Sequence, residues 1–86
     1  MTMQEIRHEL DEIQHEITHT LKQKSDQEII RLLNRVEDLQ YNFLRCPFIP
    51  SELTLPEIED IRGGLIEAED TISEFIHEIV EHRYFN

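Results

Sequence analysis

Apolar residues recur every three or four positions through most of this chain, and this period restricts its possible folds more than any other feature. An α-helix turns by about 100° per residue, so residues with this spacing lie on one side of a helix. The longest repeat lies in the C-terminal part and comprises Ile58, Ile61, Leu65, Ala68, Ile72, Phe75, Ile79 and His82. Sustained heptad spacing is typical of helices that pack lengthwise against other helices. The pattern therefore predicts an all-α protein.

Two earlier stretches have the same period, and the residues between them indicate helix ends. A serine or threonine followed three residues later by glutamate has the spacing of a capping box at a helix start. A proline disfavours helical geometry at the residue before it and ends the second stretch. These signals occur at Ser25–Glu28, Thr54–Glu57 and Pro47, and they predict helices at about residues 3–23, 26–45 and 55–83.

Residues 46–54 contain two prolines and are predicted to form a loop. Its Phe48 and Ile49 are expected to fold over the end of the bundle or, alternatively, to form an exposed docking tip. Inside the third predicted helix, Gly63 and Gly64 either allow close approach of another backbone or produce a kink or break.

Three helices of this kind predict one domain, residues 1–86, folded as an antiparallel three-helix bundle with a long C-terminal helix. A domain of 86 residues buries little apolar surface. The single cysteine, Cys46, excludes an intramolecular disulfide, and no Cys/His pattern indicates structural zinc. We therefore expect a dimeric helical bundle whose oligomer seam comprises Ile58, Ile61, Leu65, Ala68, Ile72, Phe75 and Ile79.

The charge of the chain restricts its partners. It has 19 Asp and Glu against 8 Lys and Arg, which gives a formal net charge of −11. Direct binding to nucleic acid requires an excess of cations, so it is not expected. The N-terminal residues are charged rather than apolar, and no long apolar run follows. We expect a cytoplasmic protein with no membrane segment.

Most of the excess negative charge falls on one side of the third predicted helix. We name this set the acidic row; it comprises Glu59, Asp60, Glu67, Asp70, Glu74, Glu78 and Glu81. Its members span an arc of about 100° opposite the apolar repeat. The row is either a solvated face or a binding surface for a partner with a basic surface. Small acidic inhibitors of phages and mobile elements use such a surface to mimic nucleic acid, and immunity or antitoxin proteins present a similar one.

A histidine stripe on the first predicted helix is a second candidate. His8, Glu12, His15 and His19 lie within an arc of about 60°. Imidazoles in this spacing can chelate zinc, nickel or copper. The stripe lies opposite the apolar side, however, so solvated histidines are the simpler interpretation and no metal or cofactor site is assigned.

Short pairs of carboxylates are the third candidate. They occur as ExxE or ExxD at Glu9/Glu12, Glu57/Asp60 and Glu67/Asp70. These pairs resemble the magnesium-binding pairs of helical nucleotide pyrophosphatases of the MazG type, and the resemblance implies Mg-dependent nucleotide hydrolysis. It is limited to the pairs, which a chain rich in acids also produces by chance. No nucleophile motif or glycine-rich phosphate loop is present, so we predict no catalytic residues and a non-enzymatic regulator, inhibitor or adaptor that binds another protein.

Overall fold

The computed structural model describes residues 1–47 and 53–85. These parts of the chain contain three α-helices and no strand. The helices are α1 (Met3–Thr20), α2 (Asp26–Arg45) and α3 (Leu55–Tyr84), and a 3-10 turn, Leu21–Gln23, follows α1. The helices pack against one another, which confirms the predicted all-α three-helix bundle. Phe48 and Ile49, for which a docking tip was one interpretation, lie outside the described residues.

Each helix begins with a capping box. A threonine or serine hydroxyl accepts the backbone N–H of the glutamate three residues later, and that carboxylate accepts the backbone N–H of the capping residue. The three boxes are Thr2–Glu5, Ser25–Glu28 and Thr54–Glu57. The second and third confirm helix starts predicted from spacing. The first capping box has the same spacing but was not predicted, because the start of the first helix was inferred from the apolar period alone.

The first helix is shorter than predicted. The sequence indicated one helix to about residue 23, whereas α-helical geometry ends at Thr20 and continues as a 3-10 turn. The Thr20 hydroxyl donates to the Glu16 carbonyl at 2.9 Å. Tightening of this kind is common at the last turn of a helix. The 3-10 turn also helps to reverse the chain direction within the few residues between α1 and Ser25, which caps α2.

The helices alternate in direction. Arg83, near the end of α3, forms an ion pair with Asp26 at the start of α2, so these two helices are antiparallel. Arg7, near the start of α1, lies 3.3 Å from Glu57 near the start of α3, so α1 and α3 are parallel neighbours. The bundle measures 52 × 18 × 18 Å. Its core comprises Met3, Ile6, Leu10, Ile13, Leu21, Ile29, Leu32, Val36, Leu39, Leu53, Ile61, Leu65, Ala68 and Ile72.

The two glycines lie inside a continuous α3, so the chain is not broken there. A Cβ atom on Gly64 would lie 2.9 Å from both the Leu10 Cδ2 and the Gln14 Nε2 atoms. Gly64 therefore allows the backbone of α3 to approach α1 closely. A Cβ atom on Gly63 would meet nothing within 4 Å, because this residue faces away from the bundle.

Candidate functional site

The apolar repeat of α3 lies in two different environments, one buried and one partly exposed to solvent. Ile61, Leu65, Ala68 and Ile72 are buried in the core of the single chain. Ile58, Phe75 and Ile79 pack against that core but are only partly buried, and His82 is exposed. The buried members therefore have their neighbours within one chain. An oligomer seam stays a prediction. Partly exposed apolar members of the repeat lie on both sides of the buried stretch, Ile58 before it and Phe75 and Ile79 after it.

The partly exposed surface beyond Ile72 exists because α1 is too short to cover α3. With 18 residues against 30, α1 ends while the parallel α3 continues for several turns. We name this segment, which α1 does not cover, the apolar end of α3. It comprises the partly buried Phe75, Ile76 and Ile79 and the exposed Val80 and Tyr84, together with Phe85, which directly follows the helix. Tyr84 and Phe85 are 74% and 78% exposed.

Two grooves border the apolar end of α3. The α1–α3 groove, about 500 Å³, lies where α1 stops, with Ile17, Leu21 and Phe75 on its floor and Glu74 and Glu78 on its rim. His19 and Lys22 form its opposite wall.

The second groove lies on the other side of α3. This α2–α3 groove, about 180 Å³, is lined mainly by aliphatic side chains. Ile30 of α2 contributes from one side, and Ile76, Val80 and Tyr84 of α3 contribute from the other. Ile30 is 54% exposed, so this groove also presents apolar surface to solvent.

The acidic row is wholly exposed, as the helical spacing predicted. Glu59 pairs with Arg62 at 3.0 Å, and the hydrogen bond from that guanidinium lowers the pKa of Glu59. Glu81 lies 3.3 Å from His77, which is a cation only when protonated. In the described part of the chain the other five members have no ion pair. These five are Asp60, Glu67, Asp70, Glu74 and Glu78.

The acidic row is divided into two groups. Asp60 and Glu67 are seven residues apart, which corresponds to a gap of about 10 Å along the axis. Gly63 lies between them on the same side of α3 and has no side chain to fill the gap. The C-terminal group, from Glu67 to Glu81, is the longer one and borders the apolar end of α3.

Most cations of the chain are already paired within it. The described residues include all eight Lys and Arg side chains, and five of these form ion pairs with carboxylates. Lys22, Arg31 and Arg45 have no ion pair with a carboxylate of residues 1–47 or 53–85, and the guanidinium of Arg45 stacks on the Tyr41 ring at 4.4 Å.

An ion-pair network joins α1 to α2 and was not found from the sequence. Arg35 lies between Glu9, at 3.0 Å, and Glu16, which also accepts from Lys24 at 3.1 Å. Burial alone would raise the pKa of Glu16, but the hydrogen bonds from Arg35 and Lys24 outweigh it and lower that pKa. Arg35 lies at the edge of the apolar side of α2. A cation at this position in the sequence was the feature from which an ion pair with a neighbouring helix could have been predicted.

The histidine stripe of α1 does not form a cluster. His8 lies 3.2 Å from Glu12, and the rings of His15 and His19 are 4.3 Å apart, all on the exposed side of the helix. Among residues 1–47 and 53–85, no three metal-binding side chains converge. The arrangement therefore offers pairs of ligands rather than a formed metal site.

The paired carboxylates are also not brought together. Glu9 faces α2 through Arg35, whereas Glu12 lies on the exposed histidine stripe. Glu57 is held at the start of α3 by Thr54 and Arg7. These carboxylates lie on different surfaces and do not line one cleft in which a magnesium ion could hold a phosphate.

Cys46 follows α2 and is partly buried, with its Sγ atom 3.4 Å from the Met1 carbonyl oxygen.

Within the described ranges, no helix combines the length and apolar character needed to cross a bilayer. No protein-family model, curated protein or solved structure matches this chain.

Proposed function

We propose that this chain is a non-enzymatic protein-binding module that acts as a regulator, inhibitor or adaptor through the C-terminal half of α3. The observation that carries the proposal is the apolar end of α3, which lies next to unpaired carboxylates of the acidic row. Large exposed apolar side chains grouped beside polar ones are typical of interaction sites. Here the aromatic residues Tyr84 and Phe85 are the natural anchors.

The test is affinity capture with the full chain as bait. Replacing Tyr84→Ser and Phe85→Ser removes exposed apolar surface from α3, and we expect partner recovery to fall by roughly tenfold or more, as for hot-spot residues. The matched control, Tyr41→Ser with Leu44→Ser, removes two large exposed side chains, at 56% and 82% exposure, from the far end of α2. Equal recovery by both double variants would refute the assignment to α3.

We further propose a homodimer, in which the α2–α3 face of one copy packs on that of another. Ile30, Val80 and Tyr84 are exposed there, and Ile66 lies two heptads before Val80 on the same side of α3. Both arginines nearby are paired, Arg83 with Asp26 and Arg62 with Glu59. Glu69 accepts a hydrogen bond from Gln40, and Glu37 lies one heptad after Ile30 on the same side of α2. Two copies of a chain with a net charge of −11 meet less repulsion at this face than at the acidic row.

A second candidate function is inhibition by mimicry of nucleic acid, or an immunity or antitoxin role against a basic protein. The specific observation in its favour is the five exposed carboxylates of the acidic row that have no ion pair with any residue the structure describes. Charge reversal of Glu67, Asp70, Glu74 and Glu78 should abolish binding to such a target and remove its salt dependence. Unchanged binding and salt dependence would refute both roles. Identification of the captured protein distinguishes a DNA- or RNA-handling enzyme from a toxin.

A further inference from the structure

We infer that the α1–α3 groove binds a basic amphipathic helix of the partner protein. The inference rests on the proposed function and names the chemistry of the partner. Ile17, Leu21 and Phe75 form an apolar floor where α1 stops, and Glu74 and Glu78 form the rim contributed by α3. A helix in this groove would lie along α3 in the position that a longer α1 would occupy.

The shape of the groove favours a helix as its occupant. It continues into an adjoining cavity of about 280 Å³ that shares Phe75 and Glu78 and extends to Ile79 and His82. From Thr71 to His82 the two cavities extend about 17 Å along α3, or three helical turns. Amphipathic helices bind grooves of this kind through apolar side chains at positions i, i+3 or i+4, and i+7.

The charges on the rim favour a basic occupant over a second copy of the chain. Glu74 and Glu78 are exposed, and neither forms an ion pair within the part of the chain that the structure describes. Outside the ion pairs that the structure describes, each copy has Lys22, Arg31 and Arg45, and Lys22 lies on the opposite wall of this groove, where the two rim carboxylates outnumber it; the net charge of each copy is −11. A second copy would therefore bring more repulsion than attraction to this rim, whereas lysines of a basic helix would pair with both carboxylates.

The test uses the full chain and a labelled 18-residue synthetic peptide of leucine and lysine in helical amphipathic spacing, with binding measured by fluorescence anisotropy at several salt concentrations. A peptide with glutamate in place of lysine is the charge control, and we expect it not to bind. The variant Glu74→Gln with Glu78→Gln should weaken binding of the lysine peptide by roughly fivefold to tenfold, since each solvent-exposed pair contributes up to about 1 kcal/mol. It should also flatten the salt dependence.

The matched control is Asp60→Asn with Asp70→Asn, which removes the same charge from the same row at exposed residues that do not line the groove or the cavities adjoining it. We expect less than about a twofold effect. Phe75→Ala removes part of the floor and should weaken binding without changing the salt dependence, provided that circular dichroism shows a folded helix bundle. Equal weakening by the two charge variants, or no binding of the lysine peptide, would overturn the inference.

Failure of this inference and failure of the proposed function are distinguishable. If the peptide does not bind but Tyr84→Ser with Phe85→Ser still abolishes partner capture, the groove assignment is wrong and the role of α3 stands. If neither experiment gives an effect, both are wrong.

Discussion

Three glutamates at helix starts illustrate how single residues determine this fold. Glu5, Glu28 and Glu57 each accept the backbone N–H of a capping residue, and this hydrogen bond is the largest cause of their lowered pKa values. A carboxyl group whose pKa is lower in the folded state stabilises the fold at pH values above its unfolded pKa. That contribution is lost as the pH falls through the lowered folded-state pKa. The capping boxes therefore stabilise the helices at neutral pH and weaken in acid.

The capping boxes lead to the first prediction. In an NMR titration of the side-chain carboxyl carbons, Glu28 should titrate below its ordinary value of 4.5. Ser25→Ala removes the hydroxyl of this box alone, so the pKa of Glu28 should rise while those of Glu5 and Glu57 stay unchanged. A pKa of Glu28 that does not respond to Ser25→Ala would contradict the capping geometry.

The neighbouring glycines lead to the second prediction. Gly63→Ala should stabilise the protein by about 0.5 to 1 kcal/mol, because alanine favours the helix and its methyl group meets no other atom. Gly64→Ala should destabilise it by about 1 kcal/mol, because its methyl group must displace the buried Leu10 side chain. Urea denaturation measures both changes. Equal effects of the two substitutions would show that α1 does not approach α3 at Gly64.

The sequence contained part of this residue-scale information. The spacing at Ser25–Glu28 and Thr54–Glu57 was sufficient to predict two helix starts, and the same spacing at Thr2–Glu5 was available but missed. The role of Gly64 was different, because it depends on which side of α1 faces α3. A single sequence determines the side of each helix that is apolar but not the neighbour that covers it.

At the scale of elements, the unequal lengths of α1 and α3 divide the apolar repeat into a buried part and a half-covered part. The period of the repeat predicted the long helix and its apolar side correctly. Periodicity alone did not show that Ile61 to Ile72 pack inside one chain, because intramolecular and intermolecular helix packing require the same spacing. The position of the uncovered end follows from where α1 stops, and the tight turn at Thr20 determines that point.

The divided repeat leads to the third prediction. Ile72 is fully buried, and Ile72→Ala should reduce the free energy of unfolding by about 2 to 5 kcal/mol. Ile79 is only partly buried, so Ile79→Ala should cost less than half as much in the same assay. The comparison uses one residue type in one helix. A larger loss at Ile79 than at Ile72 would contradict the division.

The ion-pair network between α1 and α2 leads to the fourth prediction. Glu16→Gln removes the carboxylate shared by Arg35 and Lys24 and should cost about 1 kcal/mol, a modest value because the network is partly exposed to solvent. Glu12→Gln is the matched control on the same helix, since Glu12 has no Lys or Arg partner in the described part of the chain and contacts only the exposed His8 as an ion-pair candidate there. Equal stability of the two variants at neutral pH would show that the network contributes nothing.

At the scale of the whole molecule, a narrow bundle with a net charge of −11 combines a small core with strong repulsion between copies. The face between α2 and α3 is less acidic than the acidic row, because it includes two arginines that pair with carboxylates, and its apolar side chains are exposed. The sequence predicted the net charge and the acidic row. It did not predict the apolar face between α2 and α3 or the two grooves, since these depend on how the three helices align.

The fifth prediction concerns assembly. Size-exclusion chromatography with light scattering should give twice the 10.4 kDa mass of one chain at micromolar concentration. Val80→Asp places a charge in the α2–α3 groove and should shift the population to the monomer. Added salt should favour the dimer, because it screens repulsion between the acidic copies. A monomer under all these conditions would exclude the dimer.

We propose that α3 packs its residues from Ile61 to Ile72 into the core of the chain and uses its last turns to bind a protein partner. Site-specific photo-crosslinking tests it most directly, with a photoreactive amino acid placed at Tyr84 on the apolar end of α3 or at Asp11 on the exposed side of α1. We predict a discrete crosslinked product from position 84, formed with a partner protein or a second copy, and little product from position 11. No product from position 84, or the same products from both positions, would contradict the claim.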